Sequence, residues 1–302
     1  MPNADDVLWF KRQFHREIEE AVTGTPFDVD MLAALACQET GEIWPQLRRK
    51  GLSRKQVLAL CVGDTIDAKG DGGRRAFPRT KSDLLAVTDG QRMFDIARKA
   101  LVDMAAHMTA YEAVATNPNK FCHGFGIFQL DLQFFLSDPD YFMERRYEAF
   151  SPCLAKCLGE LQRALKRVGW ADRAALTDLE MACIAIAYNT GRYKPGLGLK
   201  QGYFDGTRYY GEAFFDYLRL ARTAALPGAT PAIPAPPPGS AAVAPPSPVT
   251  ATGPAYRVET LQTTLRLRSE AIVSTPDPRA NVIGELPDGH LVRAVTGKAV
   301  HG

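Results

Sequence analysis

Three short segments, far apart along the chain, hold the residues best suited to chemistry: Ala36-Cys37-Gln38-Glu39-Thr40-Gly41, Gly124-Phe125-Gly126-Ile127-Phe128-Gln129-Leu130-Asp131 and Ala187-Tyr188-Asn189-Thr190-Gly191. Glu39 ends the apolar run from Met31 to Cys37, with Ile43 and Trp44 just beyond it. A carboxyl group in a partly apolar setting keeps its proton to higher pH. It is then suited to protonate a poor leaving oxygen, such as that of a glycosidic bond. Glycines 124 and 126 permit backbone conformations and close approach that a side chain would block. Gly126, Ile127 and Gln129 thus offer a polar edge along which a sugar chain can be read. Asp131 follows at once and is a candidate to orient water or to stabilise positive charge at the reacting carbon. Tyr188 and Asn189, at a helix end, are candidates to hydrogen-bond a carboxyl or an N-acetyl group. Taken singly, the segments also read as a surface glutamate, an ordinary glycine turn with a solvated Asp, and a capped helix end. Their order and composition as a set point to a glycan-cleaving site.

The elements that must carry these residues are helical. Thr25-Pro26-Phe27-Asp28 reads as an N-cap followed by a proline at the first helical position, opening a helix that stops at Gly41. Ser53-x-x-Gln56, Thr88-x-x-Gln91 and Thr177-x-x-Glu180 are capping-box patterns that open further helices. Met93, Ala97, Leu101, Met104 and Met108 form one apolar stripe, expected to be core. Residues 1–225 are therefore expected to form a mainly α domain.

A boundary follows. Residues 226–254 contain ten of the chain's 21 prolines and no charged residue, the composition of a semi-rigid polyproline spacer. Beyond it, Arg266-Leu267-Arg268, Val282-Ile283-Gly284-Glu285-Leu286 and Leu291-Val292-Arg293-Ala294-Val295 read as short strands, with Pro287-Asp288-Gly289 as a turn. Residues 255–302 are expected to be a small β domain.

Composition bounds the partners. The chain has 302 residues, 46% of them hydrophobic and 23% charged, which fits a globular protein. A net charge of +2 argues against a protein organised around nucleic-acid backbones. No stretch approaches the ~20 apolar residues needed to span a bilayer, and Met1-Pro2-Asn3-Ala4-Asp5-Asp6 carries acid where a signal peptide carries base. The expectation is synthesis in the cytoplasm, with a non-classical export route or release to the cell wall. Cys37, Cys61, Cys122, Cys153, Cys157 and Cys183 include no C-x-x-C pair, and the histidines do not supply zinc-site spacing. The thiols read as small buried hydrophobes. Neither a metal nor another cofactor is expected, and a monomer is.

As a set, the three segments resemble the lysozyme-like superfamily, specifically goose-type lysozymes and soluble lytic transglycosylases. The resemblance spans roughly residues 25–195. Glu39-Thr40-Gly41 is similar to the family's helix-terminal catalytic Glu with its small hydroxyl residue. Gly124-Phe125-Gly126-Ile127-Phe128-Gln129 is similar to its Gly-x-Gly-Leu-Met-Gln motif, and Ala187-Tyr188-Asn189-Thr190-Gly191 to its Ala-Tyr-Asn-Ala-Gly motif. The resemblance implies a lysozyme-like fold, Glu39 as general acid/base, sugar contact by Gln129 and Asn189, support of Glu39 by Tyr188, and water assistance by Asp131.

Two departures stand out. About 85 residues separate Glu39 from Gly124, far more than in compact family members, and Asn119-Lys120 stands where goose-type enzymes carry a further Asp. Asp64 and Asp67 in this insertion are candidates for the replacement carboxylate, or equally for a solvated acidic loop, and Asp71-Gly72-Gly73-Arg74-Arg75 is a candidate cleft lining. The β segment resembles a bacterial SH3 (SH3b) domain through Leu265-Arg266-Leu267-Arg268-Ser269 and Asn281–Gly289, ending short of that module's closing strand. The expected activity is cleavage of the β-1,4 glycan of peptidoglycan, as a muramidase or lytic transglycosylase. The alternatives are a glycanase of the same fold on chitosan or chitin, and a non-catalytic protein of wall binding or assembly.

Overall fold

Asn3 opens the first helix, α1 (Ala4–Val22), through a reciprocal capping box with Asp6. One face of α1 is aromatic: Trp9 stacks on Trp44 at 5.7 Å and Phe14 on Phe150 at 3.9 Å. The computed structural model describes residues 1–66 and 74–226 and four short strands beyond them, with the side chains of Asp64 and Ile66 and those of the four strands outside the description. The chain divides into two units, Met1–Ala235 and Pro236–Gly302.

The first unit is mainly helical. After α1 come α2 (Val29–Thr40), α3 (Trp44–Arg49), α4 (Arg54–Ala59), α5 (Lys81–Leu85), α6 (Gly90–Ala105), α7 (Thr109–Ala115), α8 (Pro139–Met143), α9 (Phe150–Val168), α10 (Asp178–Thr190) and α11 (Tyr210–Thr223). The helices are joined by a small antiparallel sheet of β1 (Val62–Ile66), β2 (Phe121–Phe125) and β3 (Leu130–Asp131), in the order β1-β2-β3. Gly63 pairs with Gly124, and Gly124 in turn with Asp131. Thus Gly124 is a strand residue, and only Gly126–Gln129 form the turn.

Helix α2 is the central element. Every residue from Met31 to Cys37 is buried, so its apolar run is a core helix rather than an amphipathic surface one. It packs against α1 and α11. Helices α2 and α11 run antiparallel: Arg222, near the end of α11, pairs with Asp28 and Asp30 at the start of α2, and with Asp178 at the start of α10. Buried Lys11 of α1 pairs with Asp30 and donates to the carbonyls of Ala221 and Ala224, which close α11.

Two expected helix starts move. α2 is capped by Asp28, whose carboxylate accepts from the Met31 amide. Thr25 instead closes the turn after α1 by donating to the Val22 carbonyl, and Pro26 precedes the helix. α6 begins after Asp89, which sits at φ 58° without a side-chain cap, so Thr88-x-x-Gln91 forms no capping box. The boxes at Ser53/Gln56 and Thr177/Glu180 form as expected. The stripe Met93, Ala97, Leu101, Met104 and Met108 is buried, and all six cysteines are buried free thiols. Among the described residues, no helix is long and apolar enough to cross a membrane.

In the second unit, β4 (Ala255–Arg257) pairs antiparallel with β7 (Leu291–Arg293), and β5 (Leu265–Arg268) with β6 (Val282–Leu286). Three of these strands coincide with the segments expected from alternation. The 287–289 turn and the residues after Arg293 lie outside the described residues.

Candidate active site

Glu39 occupies the last turn of α2 and is half-buried. Its Oε1 accepts a 2.6 Å hydrogen bond from the phenol of Tyr210, the first residue of α11. The antiparallel packing of α2 on α11 makes this contact: their opposite ends are locked by Arg222, so the end carrying Glu39 faces the end carrying Tyr210. Tyr210 is 5% exposed. Burial pushes its phenol well above the usual range, and the neighbouring Glu39 charge pushes it further. Burial does the same to Tyr188, with the Cys157 and Glu39 charges adding to the effect, and to the Cys157 thiol, where the Glu39 charge adds and a hydrogen bond with Tyr188 partly opposes it. Glu39 is thus set among weak acids held in their neutral, proton-donating forms.

The turn of the second segment is gripped from both sides. Thr40, next to Glu39, donates to the Ile127 carbonyl at 2.7 Å, and Tyr188 of α10 donates to the Phe128 carbonyl at 2.8 Å. The Trp44 indole donates to the Ala36 carbonyl at 3.0 Å and holds the end of α2. Two hydroxyls from two core helices therefore take consecutive carbonyls of one four-residue turn. This brings the three segments together. Gly126 turns at φ +80°, where a Cβ would stand 2.6 Å from Cys153 Sγ. Only glycine allows the turn to lie this close to α9.

The proposed sugar-contact residues divide. Gly126 and Ile127 are buried, and their carbonyls accept hydrogen bonds within the protein. Gln129, at φ +52°, folds its side chain back over the sheet: Nε2 donates to the Gly126 carbonyl at 2.8 Å, and Oε1 lies over Gly63 and Gly124. Asn189 is exposed, and its Oδ1 lies against Gly202. Tyr188, the expected support of Glu39, donates its hydroxyl to the Phe128 carbonyl and lies close enough to feel the Glu39 charge, and the Tyr210 phenol donates to Glu39 directly.

Asp131 is held by other groups. Arg74 clamps it bidentately, Nη1 to Oδ2 at 2.9 Å and Nη2 to Oδ1 at 2.8 Å, and the Gln133 amide donates to Oδ1 at 2.8 Å. His123 Nδ1 lies 3.1 Å from Oδ2. Burial penalises the carboxylate, but the hydrogen bonds from His123 and Arg74 and the Arg74 charge outweigh it, holding Asp131 below the usual carboxylate range. Arg74 is itself fixed by donating to the Phe77 and Pro78 carbonyls. The long insertion therefore delivers a cation to Asp131. Asp67 lies outside the described residues, as does the side chain of Asp64, whose backbone is in β1. Among the described residues, no group of three or more His, Cys, Asp or Glu is placed to hold a metal ion.

Tyr210 was not legible in the sequence. The local signal near it is the Glu212 side chain, which accepts from the Tyr209 amide and marks a helix start. Nothing local indicates what the phenol meets 171 positions away. No family model, curated protein or solved structure matches this chain.

Proposed function

We propose that the first unit is a lysozyme-like enzyme that cleaves the β-1,4 glycan of peptidoglycan, with Glu39 as its general acid/base. The observation that carries this reading is the half-buried Glu39 carboxyl, held by the Tyr210 phenol and joined through Thr40 to the glycine-bearing turn. In this mechanism Glu39 gives its proton to the glycosidic oxygen as the C1–O bond breaks, and positive charge develops at C1 and the ring oxygen. The Glu39 carboxylate then takes the proton of the attacking hydroxyl as the new C1–O bond forms. Proton, leaving group and nucleophile balance, and one carboxyl serves both steps.

The Arg74–Asp131 pair bears on the nucleophile. A carboxylate whose oxygens accept from Arg74 and from the Gln133 amide is a weak base for water. This supports attack by the muramoyl 6-hydroxyl, the lytic transglycosylase outcome, over hydrolysis. Asn189, exposed beside Gly202, is the candidate sugar contact. The second unit is proposed as an SH3b-like module carried on the proline-rich spacer.

The test is digestion of purified sacculi, followed by lysis and by mass spectrometry of the products. Wild-type chain is expected to release anhydro-muramoyl ends, and Glu39→Gln to lose about 10²–10⁴-fold in rate. Unchanged lysis by Glu39→Gln removes Glu39 from the mechanism. Reducing ends alone make the enzyme a muramidase.

A further inference from the structure

The loop between α10 and α11 carries a surface that the cleavage mechanism does not use. Among the described residues, eight large hydrophobic side chains are exposed, and three of them lie in this loop: Leu197 at 53%, Tyr203 at 77% and Phe204 at 48%. Apolar groups gathered in this way mark contact surfaces more often than scattered ones do. The loop is also basic. Residues 191–209 carry Arg192, Lys194, Lys200 and Arg208 against the single acid Asp205, a local excess of three positive charges in a chain whose total is +2. Arg208 is engaged by Asp205 and Asp216. Arg192, Lys194 and Lys200 are exposed and form no ion pair among the described residues.

The loop has a defined shape and a fixed place. Buried Gln201 accepts from the Lys194 amide at 2.9 Å and donates to the Lys194 and Gly198 carbonyls at 2.9 and 2.7 Å. This ties the backbones of Lys194 and Gly198 to one buried side chain. The Tyr210 amide donates to the Tyr203 carbonyl at 2.8 Å, so Tyr203 is anchored to the residue whose phenol holds Glu39. Gly202, at φ +87°, lies against both Asn189 Oδ1 and Tyr210.

We infer that the 191–209 loop is a recognition platform for a carboxylate-bearing glycan, with Tyr203 stacking on a sugar ring and Lys194, Lys200 and Arg192 meeting the acidic substituents. The inference rests on the reading of Glu39 as a glycan-cleaving acid, because the loop borders that residue through Tyr210. An exposed phenol offers a flat apolar face to a pyranose ring and a polar tip to water. Unpaired cations beside it favour a polyanionic strand, such as one bearing lactyl and peptide carboxylates, and repel a polycation such as chitosan.

The test is co-sedimentation of the full chain carrying Glu39→Gln, which stops turnover, with insoluble sacculi, with sacculi whose carboxyls have been amidated, with chitosan, and with anionic phospholipid vesicles. Tyr203→Ala and the pair Lys194→Glu/Lys200→Glu are expected to weaken binding to sacculi about tenfold each, the latter loss shrinking as salt rises. Amidation is expected to weaken the parent chain similarly, and chitosan to bind least. Unchanged sacculus binding by both loop variants, with unchanged melting temperatures, overturns the platform even where wild-type chain cleaves glycan. Equal binding to chitosan and sacculi, or loop-dependent binding to vesicles in preference to sacculi, overturns it as well. Loop-dependent binding to sacculi without any cleavage by the chain with Glu39 intact upholds the platform and rejects the catalytic reading.

Discussion

Tyr210 donates a 2.6 Å hydrogen bond to Glu39 across the antiparallel α2–α11 pair, so the Glu39 carboxyl is oriented by a buried phenol from the helix that packs on its own. A hydrogen bond to a charged group contributes about 1.5–3 kcal/mol. Tyr210→Phe keeps the ring and removes the donor. Turnover on sacculi is expected to fall about 10–100-fold with substrate affinity nearly unchanged. An unaltered turnover number, measured on a variant that melts like wild type, excludes Tyr210 as the residue that positions Glu39.

Thr40 and Tyr188 hold the carbonyls of Ile127 and Phe128. Thr40→Val and Tyr188→Phe each remove one buried donor, with an expected loss of about 1–3 kcal/mol in denaturant unfolding. Because both act on one turn, their effects are expected to be non-additive in the double variant. Strict additivity would mean that the two hydroxyls act on independent segments.

Asp131 provides a pH test. Its folded pKa lies below the unfolded one, so its contribution to stability is present above the ordinary carboxylate range and is lost as pH falls through the folded value. Asp131→Asn leaves Arg74 without its carboxylate and is expected to melt lower than wild type at pH 7. The gap should narrow steadily as pH drops below about 4. A gap that stays constant down to acid pH shows that the pair does not carry this linkage. The ratio of anhydro to reducing ends is expected to be unchanged by this variant, because Asp131 is occupied by Arg74.

Lys11 joins three helices from a buried position. Lys11→Ala leaves Asp30 and the closing carbonyls of α11 with a lost partner, and removing one member of a buried pair costs about 3–5 kcal/mol. Arg222 remains on Asp30, so the lower end of that range is expected in a chemical denaturation curve. A loss below about 1 kcal/mol would assign the helix register to Arg222 alone.

What could be read from sequence and what could not follow one physical division. Glu39 at the end of an apolar helix, the capping boxes at Ser53 and Thr177, and the buried methionine stripe of α6 are local facts, written in spacings of three and four residues that the helix itself imposes. At Thr25 and Thr88 the expected caps differ from the observed helix starts: Asp28, three residues after Thr25, has the extended backbone and the carboxylate that cap α2, and α6 starts after Asp89 at φ 58° with no side-chain cap. The partners of the site residues are of another kind. That Tyr210 donates to Glu39, that Arg74 pairs with Asp131, and that the Gln129 side chain turns back on Gly126 depend on which faces of distant elements are pressed together. Such contacts leave no period in the chain. Sequence alone placed the carboxyl on its helix, and packing of α2 against α11 and of the insertion against β3 chose its neighbours.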